Sequence, residues 1–117
     1  MSLAVVTSCV GYGAFLEDWA RSILTQTYPP TMVAIVTHGR EEDRVAGIAA
    51  AELLSAAGLR VSRVHEQDRL DFGAARNRAV SLADTEWVMH LDADDMLMPH
   101  ALADVRALAP AADVISL

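Results

Sequence analysis

The 117-residue chain contains no lysine, so all nine of its basic residues are arginine. That removes every mechanism built on a lysine, including Schiff-base chemistry and the lysine of a phosphate-binding P-loop. There is one cysteine, Cys9, which excludes an internal disulfide framework and a cysteine-rich zinc site. Positive charge is scarce. Nine basic residues stand against sixteen acidic ones, for a net charge of −7 and a pI near 4.8. A nucleic-acid binder normally carries a basic face, so no nucleic-acid partner is expected. No apolar run approaches the roughly 18 residues of a membrane span, so no transmembrane segment is expected. The start, Met1-Ser2-Leu3-Ala4-Val5-Val6, lacks the charged onset and long apolar stretch of a signal peptide, and a cytoplasmic location is the expectation.

What is present is apolar: 53% of residues are hydrophobic and the mean hydropathy is +0.26. That suits one domain over residues 1–117, long enough to bury roughly 65% of its unfolded surface. Short β-branched runs alternate with longer Ala/Leu-rich stretches. Leu3–Thr7, Met32–Val36, Arg60–Val64 and Trp87–Leu91 read as strands, and Asp113–Leu117 as a fifth. Ala14–Thr27, Glu42–Ala57 and Gly73–Ala83 read as helices. Tyr28-Pro29-Pro30 stops the first and Gly58 stops the second. Pro99 is expected at the first position of a fourth helix, where its missing N–H costs nothing. This β-α alternation predicts an α/β fold: an open, mostly parallel sheet with helices on both faces. Strand order 3-2-1-4 is the expectation, which sets the loops after the first and fourth strands side by side. The apolar ending suggests that more sheet follows in a longer protein. It also suggests an exposed sheet edge through which copies could form a homo-oligomer.

In such sheets ligands bind beyond the carboxyl ends of the strands, at the point where strand order reverses. Four segments qualify: Ser8–Gly13, Thr37–Arg40, His65–Phe72 and Asp92–Met98. The last carries three carboxylates, Asp92, Asp94 and Asp95. Their mutual repulsion is relieved by a hard divalent cation with oxygen ligands, Mn2+ or Mg2+, which would in turn neutralise a diphosphate. An Asp-x-Asp pair alone is weak, because an acidic turn also favours the start of the following helix. Other residues have structural readings. His90 reads as a satisfied, half-buried strand residue, His65 and His100 as surface residues. Trp19 and Trp87 read as core. Met89, Met96 and Met98 read as packing groups, and Glu41, Glu42 and Asp43 as helix-start charges. Arg76 and Arg78 are candidates for solvated surface charges. A receiver domain, a haloacid-dehalogenase-type phosphatase, a nicotinamide-binding Rossmann domain and a nucleotidyltransferase each lack a required feature here. Gly11-Tyr12-Gly13, for instance, is not followed by the third glycine of a dinucleotide fingerprint.

Three blocks resemble family 2 glycosyltransferases, which have the GT-A fold. Asp92-Ala93-Asp94-Asp95, followed by Pro99 and Leu102, is similar to that family's Asp-x-Asp segment. Ala75-Arg76-Asn77 with Ala83, Trp87 and Val88 matches its pattern at like spacing. Phe15-Leu16-Glu17 through Gln26-Thr27-Tyr28-Pro29 resembles its first helix and exit turn. The resemblance implies the Rossmann-like donor-binding half of a longer enzyme, with a nucleotide-sugar donor, a divalent metal and inverting transfer to an unknown acceptor. It implies that Asp94 ligates the metal with Asp95 in support. Asp92 would face the donor's ribose and phosphates, and Arg76 the diphosphate or sugar. Thr7 and Ser8 would line the nucleotide site, with Thr37 and His38 at the base. Two departures stand out. The turn after the second strand, Thr37-His38-Gly39-Arg40, lacks the family's acids, and Thr7 stands where a proline is usual. The alternative is a non-catalytic, degenerate donor-binding domain that acts only with a partner.

Overall fold

The computed structural model describes residues 1–115. Four strands form one parallel sheet: β1 (Leu3–Cys9), β2 (Met32–His38), β3 (Arg60–Glu66) and β4 (Trp87–His90), in the order β3-β2-β1-β4. Four helices join or follow them: α1 (Leu16–Leu24), α2 (Glu41–Ala56), α3 (Phe72–Ser81) and α4 (Ala101–Leu108). The expected order 3-2-1-4 is therefore observed. β1 and β2 are buried along nearly their whole length because each has a strand on both sides and helices above or below.

Handedness explains how the helices divide between the faces. Right-handed crossovers from β1 to β2 and from β2 to β3 progress in one direction and put α1 and α2 on one face. The step from β3 to β4 travels back past β1, so its helix must lie on the other face. Packing agrees. Val5, Val33 and Ile35 pack with Leu16, Trp19 and Ile23 of α1, Leu54 of α2, and Leu102 and Val105 of α4. The alternate residues, Ala4, Val6, Ala34 and Val36, pack with Ala79 of α3. Because order reverses between β1 and β4, the loops after them lie side by side.

Some boundaries differ from the sequence reading. Helix α1 is preceded by a 3-10 turn, Gly13–Phe15, and ends at Leu24. Gln26 takes over its end. Its amide Nε2 donates to the carbonyls of Ser22 (3.0 Å) and Met98 (2.7 Å), and its Oε1 accepts from the Leu102 N–H (3.0 Å). One buried side chain thus satisfies a freed carbonyl of α1 and an orphan amide of α4. Pro99 does not open α4. The Ala101 N–H reaches the Met98 carbonyl at 3.0 Å, so Pro99 occupies the second position of a turn, where its fixed φ also fits. β1, β2 and β3 each run two residues further than expected, which brings Ser8, Thr37, His38 and His65 into regular structure, while β4 ends one residue earlier, at His90. Of the expected fifth strand, residues 113–115 follow a 3-10 turn, Ala109–Ala111, and are not in a strand, while Ser116 and Leu117 lie outside the described residues. β-branched composition alone does not make a strand; pairing depends on context.

Candidate functional site

The carboxyl ends of β1, β2 and β4 surround a cleft of about 270 Å³. Ser8, Tyr12, His38, Phe72, Asp92 and Asp94 contribute to its walls. Positions 8 to 94 of the sequence converge there because all strands are parallel and end on the same side.

At one end lies the acidic turn after β4. Asp92, Asp94 and Asp95 are exposed, and each can place a carboxylate oxygen within 4.8 Å of the others. The turn is closed by the Asp95 N–H on the Asp92 carbonyl at 2.9 Å. An all-oxygen, solvent-facing set suits a hard cation, so these residues fit Mn2+ or Mg2+. Arg76, on the first turns of α3, donates from Nη2 to Asp92 Oδ1 at 2.9 Å. Its guanidinium also lies over the Phe72 ring, 4.6 Å from the centroid. It is thus an ordered partner of the acidic turn and not a solvated surface charge. Helix α3 itself is started by Asp71, whose carboxylate accepts from the Ala74 N–H at 2.8 Å.

Beneath the turn, His90 departs from expectation. It is half-buried, yet neither ring nitrogen makes a hydrogen bond, although Nδ1 stands 3.5 Å from Asp92 Oδ1. Burial lowers its pKa, Arg76 lowers it further, and Asp92 opposes both.

At the other end lies His38, only 3% exposed. Its Nδ1 accepts the Leu70 N–H at 3.0 Å. Burial lowers its pKa, with Arg69 adding to the effect. Thr37 points away from the cleft and is fully buried, with its hydroxyl 2.8 Å from His65 Nδ1. His65 is therefore a partly buried partner of Thr37 and not a free surface group. Thr7 is also fully buried, its hydroxyl unpartnered, and does not line the cleft. Strand alternation is the reason: Ser8, next to the end of β1, and His38, the last residue of β2, face the cleft, and their preceding neighbours point elsewhere. Of the expected site residues, Ser8, His38, Asp92 and Asp94 line one cleft and Arg76 touches it through Asp92. Thr7 and Thr37 lie outside its lining. Asp95 joins the acidic turn but faces a neighbouring groove beside β4. Met96 and Met98 do not pack in the core; they are largely exposed on that same side.

Three contributors escaped the sequence reading. Tyr12 and Phe72 are exposed aromatics at the cleft. Asp43 is the third. Unlike exposed Glu41 and Glu42, it is 2% exposed and turns inward. Its two oxygens accept the Gly11 N–H at 2.6 Å and the Gly13 N–H at 2.9 Å. Gly11 has φ +81°, a left-handed conformation that favours glycine. A Cβ on Gly13 would lie 2.6 Å from Asp43 Oδ1. Asp43 so holds the loop that carries Tyr12. The available signal was the Gly-x-Gly loop itself, whose amides need an acceptor.

A sequence model of glycosyl transferase family 2 matches residues 4–115. The chain belongs to that family. No curated protein matches the sequence. Among solved structures, S. aureus TarS residues 1–349 in complex with UDP is similar with a TM-score of 0.75 at 20% identity, over 94% of this chain and 32% of that one. The same protein in complex with UDP-GlcNAc gives a TM-score of 0.76 at 21% identity, over 94% of this chain and 31% of that one. The mannosyltransferase PcManGT from Pyrobaculum calidifontis, in complex with GDP-Man and Mn2+, gives 0.70 at 25% identity, over 80% of this chain and 28% of that one. The TarS likeness, at such identity, shows the fold: this family 2 chain has the open α/β sheet of GT-A glycosyltransferases. It spans about a third of the length of the structures it matches. Among the described residues no helix is long and apolar enough to cross a membrane.

Proposed function

We propose that this chain is the donor-binding part of a glycosyltransferase, taking a nucleoside-diphosphate sugar in the cleft between β1, β2 and β4. The observation that carries the reading is the acidic turn at the mouth of that cleft, three carboxylates able to meet within 4.8 Å at the point where strand order reverses. The family membership and the nucleotide-sugar complexes of its structural neighbours support it.

Asp94 and Asp95 would hold a divalent cation, Mn2+ or Mg2+, which when bound supplies charge neutralisation to a leaving diphosphate. Asp92 orients Arg76 across the turn. Arg76 brings a fixed guanidinium to the same end, suited to the oxygens of a phosphate. Ser8 and His38 line the part of the cleft left for the nucleoside. In the reading taken here transfer inverts: an acceptor oxygen attacks the anomeric carbon as the bond to the diphosphate breaks. That step needs a base for the acceptor's proton. The only carboxylates lining the cleft among the described residues are Asp92 and Asp94. Both are engaged at the phosphate end, so in this proposal the cleft itself supplies neither the base nor the acceptor wall.

Calorimetric titration with nucleoside diphosphates, with and without Mn2+, tests the reading on the unmodified chain and on Asp94→Asn. Binding strengthened by Mn2+ in the unmodified chain, with that gain lost in Asp94→Asn, is the expected result. Equal affinity in all four titrations would overturn it.

A further inference from the structure

Beneath the acidic turn, His90 Nδ1, His90 Nε2 and Arg76 Nε are buried without a hydrogen-bond partner among the described residues. A buried polar atom left unpaired costs stability, and an apolar side chain in its place would not. Val88, which shares its face of β4 with His90, is such a side chain. The fold aims the ring at the turn. His90 ends β4 opposite Val6, on the side of the sheet where Ala79 of α3 packs. Arg76 stands one helical turn before Ala79. Both groups approach a single atom, Asp92 Oδ1. Arg76 Nη2 donates to it at 2.9 Å, and His90 Nδ1 stands 3.5 Å away.

Chemistry fixes which ring nitrogen carries the proton. A carboxylate oxygen only accepts, so a bare Nδ1 would set lone pair against lone pair. Burial and Arg76 outweigh Asp92 and hold the pKa of the ring below the ordinary 6.5. Above about pH 7 the ring is therefore neutral, with one proton to place. With that proton on Nδ1, Nε2 becomes an acceptor, the complement in type of the unpaired Arg76 Nε–H.

We propose that His90 is a positioning residue for the acidic turn, holding Asp92 through an Nδ1–H···Oδ1 hydrogen bond. A movement of roughly 0.6 Å brings the two atoms to an ordinary N–H···O length. Asp92 is half-exposed. Arg76 alone draws its carboxylate toward the helix; a second contact, from the buried ring, fixes its plane. One oxygen is then spent on the protein and the other remains for a cation or a ligand. This rests on the cation reading above. Groups that orient the carboxylates around a metal are worth about 10–100-fold in its affinity.

The test has two arms on the intact chain. Nitrogen-15 NMR of the imidazoles, above about pH 7, reports which ring nitrogen is protonated. The His90 signals are assigned by their loss in His90→Asn. Protonation on Nδ1 is expected, and protonation on Nε2 would overturn the proposal. Calorimetric titration with Mn2+, in the presence of UDP and separately of GDP, measures the consequence. His90→Leu keeps the bulk and removes the donor. It should weaken Mn2+ binding at least about tenfold, while its urea midpoint holds or rises because a buried polar ring is gone. His90→Asn, whose amide N–H can stand in for Nδ1–H, should keep most of the affinity. Mn2+ affinity unchanged in His90→Leu, equal losses in the two variants, or a midpoint that falls with the affinity would overturn the positioning role and leave the cation reading standing. Should His90→Leu fail to fold, Asp92→Ala decides: the Nδ1 preference should vanish there, and its persistence would overturn the proposal. No Mn2+ binding by the unmodified chain would overturn the cation reading and the positioning role with it.

Discussion

Asp43 and His38 illustrate how much a single side chain does when it is buried. Asp43 is charged, nearly inaccessible, and spends both oxygens on backbone amides. Asp43→Asn puts an amide group against one of those N–H donors and should cost about 1–3 kcal/mol in urea unfolding. Its exposed neighbour Glu42→Gln should change stability by no more than about 0.5 kcal/mol. Faster exchange of the Gly11 and Gly13 amides in Asp43→Asn would accompany the loss. His38 makes stability depend on pH. Burial holds its pKa below the ordinary 6.5; Arg69 and His65 act in the same sense and Asp43 against them. The unfolded ring takes a proton near 6.5 and the folded ring resists it. Its contribution is full above 6.5 and is lost as the pH falls below that toward the lowered folded value. Denaturant midpoints measured from pH 7.5 down to 5 should fall, and His38→Gln should flatten the profile. An unchanged slope would mean that other groups carry the acid sensitivity.

Among the elements, α3 stands apart because, among the described residues, it is the one helix on its face of the sheet. It approaches closely by using alanine: Ala75 and Ala79 are its buried residues. Ala79 is fully buried against Ala4, Val6, Ala34 and Val36. Ala79→Leu inserts three heavy atoms into that contact and should destabilise by about 1–3 kcal/mol through overpacking. Arg76 and Phe72 ride on the same helix, so the variant should also weaken Mn2+-dependent nucleotide binding. Chemical denaturation and calorimetry on the same sample would show the two losses together. The small residues of α3 read from the sequence as an Ala-rich helix. That they set the distance between helix and sheet follows from what lies beneath them, which periodicity does not reveal.

Across the whole molecule, binding and transfer should separate. Orienting an acceptor is worth about 7–11 kcal/mol of barrier, and the cleft offers neither a wall for that purpose nor an unengaged carboxylate among the described residues. The purified 117-residue chain should bind nucleoside diphosphates and give no sugar transfer above background with a panel of nucleotide sugars and acceptors. Metal-dependent turnover at an ordinary enzymatic rate would show that a base lies within this chain or comes from a second copy of it.

Periodicity was enough to read four strands, the main helices and an open parallel sheet, because strand and helix patterns are local; the order 3-2-1-4 was an expectation that only the folded sheet decided. The acidic turn was legible for the same reason: its carboxylates are neighbours in the chain. What folding added depends on contacts across long separations. Asp43 looked like a helix-start charge until α2 packed against the loop after β1, about thirty positions away. His65 looked exposed until β3 paired with β2 and brought it to Thr37. Thr7 and Thr37 stand beside Ser8 and His38 in sequence, yet alternation along a strand sends neighbours to opposite sides. Residues 113–115 have the composition of a strand but are not in one, and pairing is a property of two segments, not one.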